Sequence, residues 1–136
     1  MSAKENSIVR LLANLEKRNM NGYFFQNVTQ LYSLIDNLAA QDAAVGCGDS
    51  VTLEQSGVFE YIRKSRRLFF DKHQKHLIAA DKHLLYLENF GADLFLSGVN
   101  AISLDGQLFF IDGNGSRVAP IIYGPKRVLL VAGVNK

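Results

Sequence analysis

Apolar positions recur along the first two-thirds of the chain in two alternating rhythms. Ile8, Leu11, Leu12 and Leu15 fall at i, i+3, i+4 and i+7, the spacing of one helical stripe. Ser2 and Glu5 ahead of them have capping-box spacing. Asn21-Gly22 predicts the end of this helix, and Tyr23-Phe24-Phe25 predicts a short strand. Val28, Leu31, Tyr32, Ile35 and Leu38 repeat the helical stripe. Ala43-Ala44-Val45-Gly46 predicts the next strand, which runs into the turn Gly46-Cys47-Gly48-Asp49-Ser50. Val51, Val58, Phe59 and Ile62 predict a helix with Gly57 as its weak point. Leu68-Phe69-Phe70 predicts a strand, Leu77, Ala80, Leu84 and Leu87 a helix, and Leu94-Phe95-Leu96 a further strand.

From residue 98 the helical spacing gives way to strands in succession, around Ala101–Leu104, Leu108–Ile111, Val118–Tyr123 and Val128–Ala132. Asp105-Gly106, Asp112-Gly113-Asn114-Gly115 and Gly124-Pro125 separate them, and Asp-Gly and Asn-Gly supply the positive φ of tight hairpins. The earlier strands are continuous apolar runs, the mark of strands covered on both faces, joined through helices by right-handed crossovers. The expected fold class is therefore α/β: a mostly parallel sheet with helices on both faces, and antiparallel hairpins in the C-terminal third. Residues 1–136 read as a single domain, without linker or internal repeat. Open parallel sheets bind ligands beyond the carboxyl ends of their strands. Two loops belong there on this reading, Gly46–Thr52 and Ser97–Asn100.

Composition narrows the partners. A chain of 136 residues that is 48% hydrophobic can bury a substantial core. A net charge of +2 is too mild to imply nucleic acid or an anionic membrane. The lone Cys47 excludes a disulfide framework, a four-cysteine zinc site and a chain-contained iron–sulfur cluster. No apolar run approaches the roughly 18 residues of a membrane span, and the start lacks the pattern of a signal peptide. A cytoplasmic protein is expected.

Chemistry could reside at a few places, each with a structural alternative. Gly48 lets backbone approach a ligand, and Ser50, Thr52 and the free N–H groups where the strand enters a helix could hold an anion; Asp49 or Ser50 could equally be the helix cap. Neither a GxxxxGK[ST] nor a GxGxxG motif is present, so no nucleotide fingerprint supports the loop. Cys47 could be a nucleophile favoured by the helix start or a small buried apolar residue. His73 and His76 are spaced to share a helix face, with Asp81 and His83 nearby, but Lys72, Lys75 and Lys82 are interleaved and oppose a divalent cation; no metal is expected. Asp112, Asn114 and Arg117 in DGNGSR resemble a cradle for phosphate or carboxylate, or a plain turn. Asn100 can donate and accept in one side chain, and Asp105 and Asp112 form a carboxylate pair or two surface turns.

The stretch SGVNAISLDGQLFFIDGNGSRVAPIIYGPKRVLLVAGVNK, preceded by GCGDSVTLEQSGVFEYIRK, resembles the lactate-utilisation domain (LUD) family, in particular its short stand-alone bacterial members. DGNGSRVAP and the terminal VAGVNK are its most specific parts. The resemblance implies a fold related to the sugar-phosphate isomerase and CoA-transferase superfamily. It also implies a part in bacterial oxidation of L-lactate to pyruvate, alongside iron–sulfur protein partners. Family members continue beyond the position of Lys136, often with a cysteine-containing tail, so the chain reads as a shortened variant or a fragment. No catalytic residue carries over, and whether the protein is an enzyme stays open.

The expected function is an accessory component that binds a small anionic ligand, carboxylate or phosphate-bearing, with no cofactor of its own. The expected ligand-binding set is Gly48, Asp49, Ser50, Thr52, Glu54, Asn100, Asp112, Asn114 and Arg117. One alternative is a non-catalytic interaction module or homo-oligomer. A further one is a CoA-transferase-like or isomerase-like enzyme using Glu54 or Asp112 as nucleophile or base.

Overall fold

The computed structural model describes residues 2–134. Its helices are α1 (Ala3–Lys17), α2 (Val28–Leu38), α3 (Val51–Gln55), α4 (Val58–Arg63), α5 (Ala79–Glu88) and α6 (Val118–Ile122), with a 3-10 turn at Asn89–Gly91. Its strands are β1 (Ala44–Cys47), β2 (Leu68–Phe69), β3 (Leu94–Gly98), β4 (Ala101–Ile102), β5 (Leu108–Phe109) and β6 (Arg127–Val131). β2, β1, β3 and β6 form one sheet in that order, every pairing parallel. β4 and β5 form a separate antiparallel pair. The α/β class and the largely parallel sheet are as the apolar runs predict, and no described helix is long and apolar enough to cross a membrane.

Alternation along the strands divides the core into two layers. Val45 and Cys47 of β1 and Leu94 and Leu96 of β3 face one way, into a cluster with Leu31 and Ile35 of α2, Leu53 of α3 and Val58, Phe59 and Ile62 of α4. Each such buried side chain stabilises the fold by about 1.5–3 kcal/mol. Gly46, of opposite parity, meets the Asn89 side chain, and the Cδ1 of Phe95 would stand 3.2 Å from a β-carbon there. A backbone packed this closely admits glycine alone.

α1 is the least secured element. It has the Ser2–Glu5 capping box and ends at Asn19, whose φ of 62° is the left-handed stop that asparagine tolerates, yet it buries no residue. It is held to the β4–β5 turn by polar contacts: Arg10 pairs with Asp105 at 2.9 Å, Asn14 Nδ2 donates to the Leu104 carbonyl, and Arg18 Nε donates to that of Asp105. Exposed pairs of this kind contribute about 0–1 kcal/mol each. Asp105 thus anchors a helix, and the carboxylate pair with Asp112 does not form a working unit.

Four sequence expectations change. Tyr23–Phe25 is not a strand; it is irregular chain, with Tyr23 stacked on Phe25 and Phe25 packed on the core, because no strand lies beside it. The helix expected from Val51 onward is two helices, α3 and α4, parted at Gly57 with φ of 78°. Val118–Tyr123 is helical over Val118–Ile122: Pro120 lacks the N–H a strand ladder needs but is tolerated in a helix's first turn. The stretch around Val128 is no hairpin arm; β6 returns to the main sheet, parallel to β3. Asn135 and Lys136 of the VAGVNK motif lie outside the described residues.

Candidate anion-binding site

At the carboxyl ends of β1 and β3 the backbone stays close, with the Gly48 N–H donating to the Leu96 carbonyl at 2.8 Å. Two missing β-carbons then bring distant loops together. A β-carbon on Gly48 would stand 2.6 Å from Cγ and 3.0 Å from Cδ of Arg117. One on Gly98 would stand 2.6 Å from Oγ of Ser50. The glycine loop, the β3 exit and the DGNGSR turn therefore share one corner of the sheet, as the rule for parallel sheets leads one to expect.

Arg117 is the centre of that corner. Its Nη2 donates to Asn100 Oδ1 at 2.5 Å and to the Ile111 carbonyl at 2.9 Å, and its guanidinium lies 5.5 Å from the Phe110 ring centre. Both Nη2 hydrogens are thereby used, leaving Nε and Nη1 for a ligand. Asn100 Oδ1 also accepts the Ile111 N–H, so the same amide pins the hairpin and aims the arginine. Asp112 Oδ2 accepts the N–H groups of Arg117 and Val118 at 2.9 and 3.0 Å, capping α6. Burial pushes the Asp112 carboxyl up, but these amides and the Arg117 charge outweigh it, holding the group below 3.8.

Lys72, just past the end of β2, is part of the same edge and was not among the expected site residues. Its side chain is 9% exposed, its Nζ is 2.9 Å from Asp49 Oδ1, and it lies 5.2 Å from the Tyr86 ring centre. Read in sequence, it was one of three solvated lysines among histidines; the discriminating signal was its place two residues after the strand run Leu68–Phe70. His73 Nε2 is 3.9 Å from the same Asp49 oxygen and its ring packs on Phe59, while His76 and His83 are exposed. Cys47 is buried beneath the loop, with Sγ donating to the Phe70 carbonyl. Desolvation, the dominant influence, pushes its thiol up to about 12, so it is a packed thiol at neutral pH and not a thiolate.

The remaining expected residues play other parts. Ser50 Oγ accepts the Leu53 N–H and caps α3, the role that competed with ligand binding. Asn114 Oδ1 accepts from Ser116 N and Oγ, closing its own turn. Thr52 and Glu54 lie on α3, Glu54 exposed and without a polar partner among the described residues. At the opposite, amino-terminal edge of the sheet a shallow groove of about 370 Å³ is bordered by Leu38, Asp42, Asp93 and Lys126. Its Asp93 is already engaged by the Ala44 N–H and by Lys126.

The sequence profile of the LUD domain matches residues 8–136. No curated protein and no solved structure is significantly similar to the chain.

Proposed function

We propose, from the premise that this chain belongs to the LUD domain family, that it is a small-anion-binding component of bacterial L-lactate utilisation. The ligand, a carboxylate or a phosphate-bearing molecule, sits over the Gly48 loop. The observation that carries this reading is the pair of close approaches, Arg117 on Gly48 and Ser50 on Gly98, at the carboxyl ends of adjacent parallel strands. Nε and Nη1 of Arg117 supply charge-assisted donors, and Asn100 and Asp112 hold that side chain and its backbone in place. Calorimetry with lactate, pyruvate, coenzyme A and a nucleotide tests the reading. Heat is expected with at least one of them, reduced about tenfold or more in affinity by Arg117→Ala. Silence with all four overturns it.

A docking role with an iron–sulfur protein or a second copy is the other reading, favoured by the exposure of Phe109, Ile111, Ile122 and Tyr123, at 50%, 82%, 77% and 80%. Light scattering at high concentration separates a self-associating chain from a monomer.

A further inference from the structure

Among the described residues two cations, Arg67 and Lys72, are buried, and they are held very differently. Arg67 has a side chain with no exposed surface and three oxygen partners: the Ala39 and Ala40 carbonyls at the end of α2, and Asp36. Backbone carbonyls cannot leave, so that cation is locked. Lys72 is nearly as buried, yet its ionic partners among the described residues reduce to one oxygen of Asp49, whose side chain is 75% exposed. A carboxylate that exposed can swing into water at little cost, whereas the ammonium cannot follow it. The Tyr86 ring face, 5.2 Å from Nζ, steadies the ammonium when Asp49 departs. Asp49 follows Gly48 in the chain, and the Arg117 side chain packs on Gly48.

We infer that Asp49 is a built-in stand-in for the ligand: its carboxylate occupies the place on Lys72 that an incoming oxyanion takes, and binding displaces it. This rests on the anion-binding reading above and adds to it a second cation and a competing internal anion. The ligand class is a carboxylate or phosphate oxyanion, and the exchange swaps one ionic contact for another without covalent change. Three features favour exchange over a fixed structural pair: the exposure of the acid, the burial of the base, and the single-oxygen contact.

The test is a double-mutant cycle read by calorimetry on the full chain, with inorganic phosphate and pyruvate as separate probes. Asp49→Asn is expected to bind the accepted probe about fivefold tighter, the factor by which a site blocked about four-fifths of the time loses apparent affinity. Lys72→Met is expected to bind it about tenfold or more weaker. In the Lys72→Met background, Asp49→Asn is expected to change nothing, which a mere loss of negative charge would not produce. Asp42→Asn, the same charge change on the opposite sheet edge, is expected to leave affinity unaltered. Wild-type binding with no gain in Asp49→Asn overturns the inference and spares the anion-binding reading. Absence of binding by both proteins with both probes overturns the inference; the anion-binding reading falls with it only when lactate, coenzyme A and the nucleotide are silent as well. Asp49 is exposed, so its variant decides the matter even where Lys72→Met fails to fold.

Discussion

The two ends of the parallel sheet are made from the same strands and behave as opposites. At the amino-terminal end, Arg67 is clamped by the two carbonyls that follow α2, those of Ala39 and Ala40, and by Asp36. Asp93 there is used up by the Ala44 amide and Lys126. At the carboxyl end, glycines remove side chains where the loops meet, Arg117 keeps unspent donors, and Lys72 holds a single replaceable partner. Arg67 and Asp93 at one end are held by several fixed partners, although Arg67 Nη1 is buried without one; at the other end Arg117 and Lys72 have fewer partners. What distinguishes Arg67 from Lys72 is the number and fixity of their partners, more than their burial.

The contrast can be broken by substitution, and the largest effect belongs to the amino-terminal end. Arg67→Ala strands the Ala39 and Ala40 carbonyls beyond α2 and is expected to cost about 3–5 kcal/mol in urea denaturation, with anion affinity per folded molecule unchanged. Gly46→Ala strikes between the two ends, driving a methyl into Asn89 and Phe95, at about 1–3 kcal/mol. Asp112→Ala at the carboxyl end is expected to cost only about 0.5–2 kcal/mol, the range of a lost helix cap, while affinity for the anion falls because Arg117 loses its anchor.

Two smaller effects sharpen the picture. Asp71 and Asp112 both lie below their ordinary 3.8. For Asp71 burial pushes upward but is outweighed by the paired Arg63 at 2.7 Å and by the His73 amide. Depressed carboxyls stabilise the fold above pH 3.8, and that share is lost as the pH drops through their folded values. Melting temperature should therefore fall from pH 6 to pH 3, less steeply in Asp71→Asn, and an equal slope in both proteins would contradict the assignment. Cys47, with its thiol raised to about 12, should resist alkylation at pH 7 in the native state and react once urea unfolds the chain. Prompt native labelling would mean that the layer beneath the loop opens.

Much of this was legible along the chain. The apolar runs at 43–46 and 94–96 declared strands covered on both faces, and Gly48, Ser50, Asn100 and Arg117 were identifiable as residues that could meet. Other parts were misread for definite reasons. Pro120 inside an apolar run argued against a strand, and the apolarity of its neighbours overrode that signal. Lys72 differed from Lys75 and Lys82 only in its place two residues after the strand run Leu68–Phe70, because one-dimensional spacing carries no burial.

By itself, then, the order of residues determined the class of fold, the sheet edge where loops gather and the small residues that let them approach, since periodicity and missing side chains are local properties. Only tertiary structure decided which polar groups were already satisfied. Whether Asn100 steers an arginine, Ser50 caps a helix, or Lys72 loses its water depends on partners that the chain brings together from far apart.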